Sequence, residues 1–186
     1  LPLIQLLEDQ DPYVRLSAAK ALAEIGPEAV PALIQLLNDE NSLVRQNAVF
    51  ALSEIGPEAK PAIPALSQLL EDQNSAVRSS AAKALAEIGP ESIPTLIQLL
   101  DDQDPYVRGS AAEALGAIGA EAIPDLVQLL DDQDSTVRSN AIVALGAIGP
   151  EAKPAIPALI QLLNDDSNEV RSQANRSLRE IGPATV

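Results

Sequence analysis

The sequence contains no cysteine, histidine, methionine or tryptophan, with one phenylalanine and two tyrosines. Without cysteine there is no disulfide, no thiolate nucleophile and no thiolate metal ligand. Without histidine there is no imidazole general base, and every His-containing metal set is excluded. Ser and Lys chemistry stays formally open, but no serine has a recognisable base beside it. Basic residues are scarce as well: 12 Lys and Arg stand against 27 Asp and Glu, a net charge of −15. Half of those cations are one recurrent arginine, which leaves Lys20, Lys60, Lys83, Lys153, Arg176 and Arg179. A nucleic-acid surface needs cations that displace counterions from phosphates, and this chain repels phosphates over most of its length. No stretch approaches the roughly 18 apolar residues of a membrane span. No signal-peptide pattern is present, although a first residue of Leu1 leaves room for a leader already removed. The expectation is a cytoplasmic protein with neither nucleic-acid nor membrane partners.

What is present is repetition. Gln-Leu-Leu recurs from Gln5, Gln35, Gln68, Gln98, Gln128 and Gln161. Val-Arg follows at Arg15, Arg45, Arg78, Arg108, Arg138 and Arg171, and Ile-Gly closes each copy from Ile25-Gly26 to Ile181-Gly182. Equivalent leucines (Leu7, Leu37, Leu70, Leu100, Leu130, Leu163) are 30 or 33 residues apart. A period in this range means stacked supersecondary units, each burying apolar surface against its neighbours. No linker interrupts the period, so the expectation is a single array, 1–186.

One copy reads as two helices. Pro31 suits a first helical turn, and Leu33, Ile34, Leu36 and Leu37 follow at helical spacing. A polar break, Asn38 to Ser42, precedes a second helix over about 43–55, where Val44, Ala48, Ala51, Leu52 and Ile55 form one face. Gly56 suits a C′ position and Pro57 blocks continuation. The residues before the second helices are Asp11, Asn41, Asn74, Asp104, Asp134 and Ser167, all favoured N-caps. Alanine recurs at Ala18, Ala48, Ala81, Ala111, Ala141 and Ala174, small enough for close helix approach.

Helix, polar turn, helix and Gly-Pro, with Val-Arg opening the second helix, resembles the HEAT-repeat family along the whole chain. The short Ala-rich form is similar to the HEAT-like repeats of phycobilisome lyases and many bacterial repeat proteins. The resemblance implies an all-α fold, a right-handed α-solenoid (superhelix) of six two-helix repeats near 1–30, 31–63, 64–93, 94–123, 124–156 and 157–186. The longer steps fall after copies two and five, where Glu58 to Pro64 matches Glu151 to Pro157, and Asp-Pro-Tyr-Val-Arg occurs in copies one and four. Residues 1–93 and 94–186 therefore read as one three-repeat block written twice. In the last copy Ser177, Asn175, Arg176 and Arg179 replace mostly small or apolar residues, which reads as a polar cap. Leu1, Leu3, Leu6 and Leu7 begin the array without one, so the expectation is a fragment of a longer array, or a first repeat that meets a partner or a second copy.

The recurrent arginine reads as structural, in a charge-assisted and bidentate Arg–Asp ladder stacked between turns, with Asp9, Asp39, Asp72, Asp102, Asp132 and Asp165. The resemblance implies the same role. The acidic turns lack the glycine and distal Glu of an EF-hand loop, so capping explains them and no metal site is assigned. The expected binding face is the side of each second helix opposite its core stripe, where the letters repeat least. It contains Leu16 and Lys20; Gln46, Val49, Phe50 and Ser53; Lys83; Glu113; Ile142 and Val143; and Arg176 and Arg179. The resemblance places this face inside a groove. Phe50, Val49, Ile142 and Val143 fit either a recognition patch or packing against an adjacent second helix, and both readings stand. Tyr13 and Tyr106 read as turn packing in preference to stacking platforms.

Three functions follow. The first is a non-catalytic protein–protein interaction scaffold that binds a partner helix or peptide, with an acidic rim steering basic partners. The second, suggested by the lyase resemblance, is an accessory subunit of a bilin-handling enzyme, although no lyase motif carries over residue by residue. The third is a designed or consensus-derived array, which implies high thermal stability. The first is preferred, with no enzyme activity, no cofactor and no metal.

Overall fold

The computed structural model describes residues 2–182. Leu1, one of the leucines expected to open the array, lies outside the described residues, as do residues 183–186. Among the described residues all regular structure is helical. The helix pairs are α1 (Pro2–Gln5) with α2 (Pro12–Ile25), α3 (Val30–Leu36) with α4 (Ser42–Ile55), α5 (Ile63–Gln68) with α6 (Ser75–Ile88), α7 (Ile93–Gln98) with α8 (Pro105–Ile118), α9 (Ile123–Gln128) with α10 (Ser135–Ile148), and α11 (Ile156–Gln161) with α12 (Asn168–Ile181). The chain divides into two compact units, Leu1–Thr95 and Leu96–Val186. No helix among the described residues is long and apolar enough to cross a membrane.

Each second helix is 14 residues long, and local chemistry sets both of its ends. Asp11 Oδ1 accepts the Tyr13 N–H at 2.8 Å, and Asn41, Asn74, Asp104 and Asp134 cap their helices in the same way. Ser167 makes the longest of these contacts, 3.5 Å to the Val170 N–H. At the other end Gly56 stops α4 with φ 68°, a conformation that side-chain-bearing residues rarely adopt. The first helices are shorter: proline sits at their first turn, and a 3-10 turn over the Leu-Leu pair ends all but α3, which stops in a plain turn.

Within the first unit α4 packs between α2 and α6, and in the second α10 packs between α8 and α12. The short helices α3, α5, α9 and α11 each pack on the second helix of their own pair. The core is aliphatic, and Leu22, Leu52, Leu85 and Leu115 are fully buried. The recurrent alanines are sealed between helices. Gly146 takes this further: a Cβ there would stand 2.6 Å from Ser177 Oγ, so α10 and α12 meet too closely for any side chain.

Ser177 corrects one expectation. It is not part of a solvated cap but is buried, and its hydroxyl donates to the Ile142 carbonyl at 2.9 Å. Asn175, Arg176 and Arg179 are exposed, so the polar character of the last copy lies on the outside of α12.

Replacing Leu52 by Ala removes a fully buried side chain from α4. The expected cost is about 2–5 kcal/mol in urea unfolding. Leu43→Ala, at a side chain 44% exposed on the same helix, should stay within about 0.5 kcal/mol.

Candidate functional site

The recurrent arginine is placed by the first turn of each second helix. Arg15 Nη1 donates to the Asp9 carbonyl at 2.7 Å and to the Gln10 carbonyl at 3.1 Å. The pattern repeats at Arg45, Arg78, Arg108, Arg138 and Arg171, with 2.6–2.8 Å to the first of the two carbonyls. These arginines therefore satisfy main-chain carbonyls of the inter-helix turn. The matching aspartate carboxylates accept an N–H two residues on, as Asp9 Oδ1 does from Asp11 at 2.8 Å. Within a copy the arginine thus meets the aspartate's carbonyl, and the ladder expected between turns has to be sought between copies.

Carboxylate pairing between successive copies is seen at Arg45 with Asp72 and at Arg138 with Asp165. Arg45 grips Asp72 with a two-pronged contact, 2.7 Å from Nε and 2.8 Å from Nη2. Arg138 grips Asp165 likewise, at 2.9 and 2.8 Å. At both junctions the connecting 3-10 turn is seven residues long, Gly56–Ala62 and Gly149–Ala155, because of the three extra residues. Lys60 also pairs with Glu91 there. The 30-residue junctions inside the units carry a different tie. Asn47 Nδ2 donates to the Leu7 carbonyl at 3.3 Å, and Asn140 Nδ2 to the Leu100 carbonyl at 2.9 Å.

These forks set the electrostatics of the turns. Burial pushes the Asp72 carboxyl up, but the Arg45 hydrogen bonds, the Asn74 N–H and the charges of Arg45 and Arg78 outweigh it and hold it below the ordinary range. Hydrogen bonds from Arg138 hold Asp165 down against burial, aided by the Ser167 N–H and the charges of Arg138 and Arg171. Among the described residues no group of three acids is arranged to hold a metal ion. No buried polar side-chain atom among them lacks a hydrogen-bond partner. Polar groups inside the fold are committed to holding it together.

The expected binding residues separate by exposure. On the first unit Leu16 (40% exposed) and Lys20 lie open on α2, Gln46, Phe50 and Ser53 are half-buried on α4, and Lys83 is exposed on α6. Val49 is fully buried and is removed from the surface set. On the second unit Glu113 on α8, Val143 (38% exposed) on α10, and Arg176 and Arg179 on α12 are exposed, while Ile142 is fully buried. Val49 and Ile142 occupy the same repeat position, on the flank that each helix turns toward the following second helix. The Ser177 hydroxyl on the Ile142 carbonyl marks that flank. Tyr13 and Tyr106 are 78% and 68% exposed, so they do not fill the turns as expected.

The second-helix face carries a cleft on each unit. Lys20, Ala23, Glu24 and Glu54 line one of about 400 Å³ between α2 and α4. Val143, Gly146, Ala147, Gln173, Arg176, Ser177 and Glu180 line the other, also about 400 Å³, between α10 and α12. Arg176 pairs with Glu180 at 3.4 Å across one helical turn. A third, apolar cleft of about 440 Å³ lies over α1 and α2, lined by Leu3, Leu6, Tyr13, Val14, Ser17, Ala18 and Ala21, where self-association was expected. Sequence reasoning missed Glu24, Glu54 and Glu87, exposed one turn beyond Lys20, Phe50 and Lys83. The signal was there: Glu precedes Ile-Gly in these three copies, whereas Ala117 and Ala147 take its place in copies four and five.

A family model described as HEAT repeats matches residues 1–86 and 93–179. One described as a PBS lyase HEAT-like repeat matches residues 77–102. No curated protein matches the chain. Among solved structures it is similar to an engineered protein at 31% identity, covering 97% of this chain and 95% of that one, TM-score 0.46. It is similar to computationally designed armadillo repeat proteins for modular peptide recognition at 26% identity, covering 97% and 99%, TM-score 0.44. It is similar to the Escherichia coli protein YibA, solved by X-ray, at 26% identity, covering 95% and 68%, TM-score 0.52.

Asp72→Asn tests the fork between the second and third copies. At pH 7 it should cost about 1.5–3 kcal/mol, the range of a hydrogen bond to a charged partner. A carboxyl held below its unfolded pKa of about 3.9 stabilises the fold above that pH and loses the effect as pH falls through the folded value. Urea melts between pH 7 and pH 2.5 should therefore show wild type and variant converging in acid. A gap that stays constant with pH would show that the carboxylate charge contributes nothing.

Proposed function

The chain belongs to the HEAT-repeat family, and we propose that it is a non-catalytic scaffold whose second helices hold a helix or peptide of a partner protein. One observation carries the reading. At a single repeat position the six copies carry Lys20, Phe50, Lys83, Glu113, Val143 and Arg176, all of them exposed or half-exposed, while the flanking core letters are sealed. A position free of packing duty and different in every neighbouring copy suits recognition. Catalysis has nothing comparable in its favour: the clefts on this face hold Lys, Arg, Glu, Gln and Ser with no nucleophile–base pair.

We also read residues 1–93 and 94–186 as a duplicated three-repeat block. Asn47 on the Leu7 carbonyl recurs as Asn140 on the Leu100 carbonyl. Arg45 on Asp72 recurs as Arg138 on Asp165. All four residues move by the same 93 positions, which supports the reading.

A second reading, an accessory role in bilin handling, draws on the match of residues 77–102 to a PBS lyase HEAT-like repeat. A bilin wants cations for its propionates, and the second helices offer Lys20 and Lys83 on the first unit and Arg176 and Arg179 on the second. A visible band that shifts when a bilin is added, and reverts in Lys20, Lys83 or Arg176 variants, would favour this role over the scaffold.

The scaffold reading is tested by selecting peptides from a random displayed library against the whole chain. Phe50→Asp should weaken the selected binders by about ten-fold or more. Ile160→Asp, on α11 at a side chain already 51% exposed, should leave them unchanged. The reverse outcome moves the binding surface to the first helices.

A further inference from the structure

We infer that the second-helix face of the first unit recognises an amphipathic helix that carries basic residues along one edge at seven-residue intervals. The inference rests on the scaffold reading and narrows it to a partner of stated chemistry.

Two rows of side chains cross α2, α4 and α6. Lys20, Phe50 and Lys83 occupy one repeat position on the three helices, and Glu24, Glu54 and Glu87 lie one turn further along. All three glutamates and both lysines are exposed. None of these five is engaged in an ion pair or hydrogen bond among the described residues. Lys20, Glu24 and Glu54 line the same cleft, so the rows adjoin in space as well as in sequence. The face thus offers a half-buried aromatic between two cations, with an unneutralised anionic row beside it.

The spacing selects the occupant. Packed helices stand about 8–10 Å apart, so the glutamates recur at about that interval across the face. An α-helix laid across them advances about 10.5 Å every seven residues and returns the same side to the surface. An extended strand returns a side chain to one face every two residues, about 6.8 Å, and falls out of step. The rows themselves are about 6 Å apart, four residues at 1.5 Å each, within the roughly 10–12 Å width of a helix. A partner helix with Lys or Arg at i, i+7 and i+14 on one edge meets the three glutamates. An apolar residue at its centre meets Phe50, and acidic residues on the far edge meet Lys20 and Lys83. The second unit does not repeat the pattern, since Ala117 and Ala147 stand where the acidic row would begin.

The test uses the full chain and two fluorescent 21-residue helical peptides of identical composition. In one, three lysines lie on an edge at seven-residue spacing beside a central leucine. In the other, the lysines are moved to the opposite side of the helix. By fluorescence anisotropy the first should bind about ten-fold more tightly, as expected for three exposed charge pairs. The advantage should shrink with added salt. It should vanish in the E24Q/E54Q/E87Q variant. Equal binding of both peptides, still weakened by Phe50→Asp, overturns the charge pattern and leaves the scaffold reading standing. An advantage that survives in the triple variant overturns it too, because the lysines then read some other surface. No binding of either peptide overturns the inference as well, and the library selection then decides the scaffold reading separately.

Discussion

A two-helix copy cannot bury its own apolar stripe, so within each unit a second helix must lie close enough to the next to exclude water. That requirement explains the residue choice at the contacts. Alanine recurs where helices meet, and Gly146 appears where even alanine would collide with Ser177. Ser177 brings a polar side chain into such a contact and uses it to tie α12 to the Ile142 carbonyl. The fold is a series of joints, and its stability resides in them.

The joints are of two kinds. Where copies follow at 30 residues inside a unit, an asparagine reaches back to a leucine carbonyl of the preceding copy. Where three residues are added, an arginine reaches forward and grips an aspartate of the following copy. Arg45 and Asn47 sit two residues apart on α4, as Arg138 and Asn140 do on α10. The middle copy of each unit therefore holds both neighbours. A guanidinium fork fixes orientation as well as distance, which suits a junction whose longer turn would otherwise leave the angle free.

Charge is distributed by the same logic. The aspartates of the turns spend their carboxylates on backbone N–H groups, and the recurrent arginines spend their guanidinium groups on carbonyls. Lys20, Lys83, Glu24, Glu54 and Glu87 are left exposed on the second helices. The candidate face was partly legible in the sequence, because the letters that failed to repeat at Lys20, Phe50, Lys83 and Val143 are also the accessible ones. Val49 and Ile142 take the packing reading of the two left open, because the opposite side of a helical wheel includes the flank that the following copy covers. A wheel shows one helix, and burial there depends on two. Glu24, Glu54 and Glu87 were missed for the opposite reason: they recur, and recurrence resembles structural duty.

The sequence by itself determined the helices, their ends and the number of copies, because these follow from interactions spanning a few residues. N-caps, positive-φ glycines, prolines and a 3.6-residue apolar period act within one turn and need no neighbour. The tertiary structure alone decided which aspartates Arg45 and Arg138 grip, which side of a second helix stays open, and that Ser177 is a buried tie. Those outcomes depend on how one copy is set against the next. That setting comes from side chains tens of residues apart, such as Arg45 and Asp72, and a local pattern cannot express it.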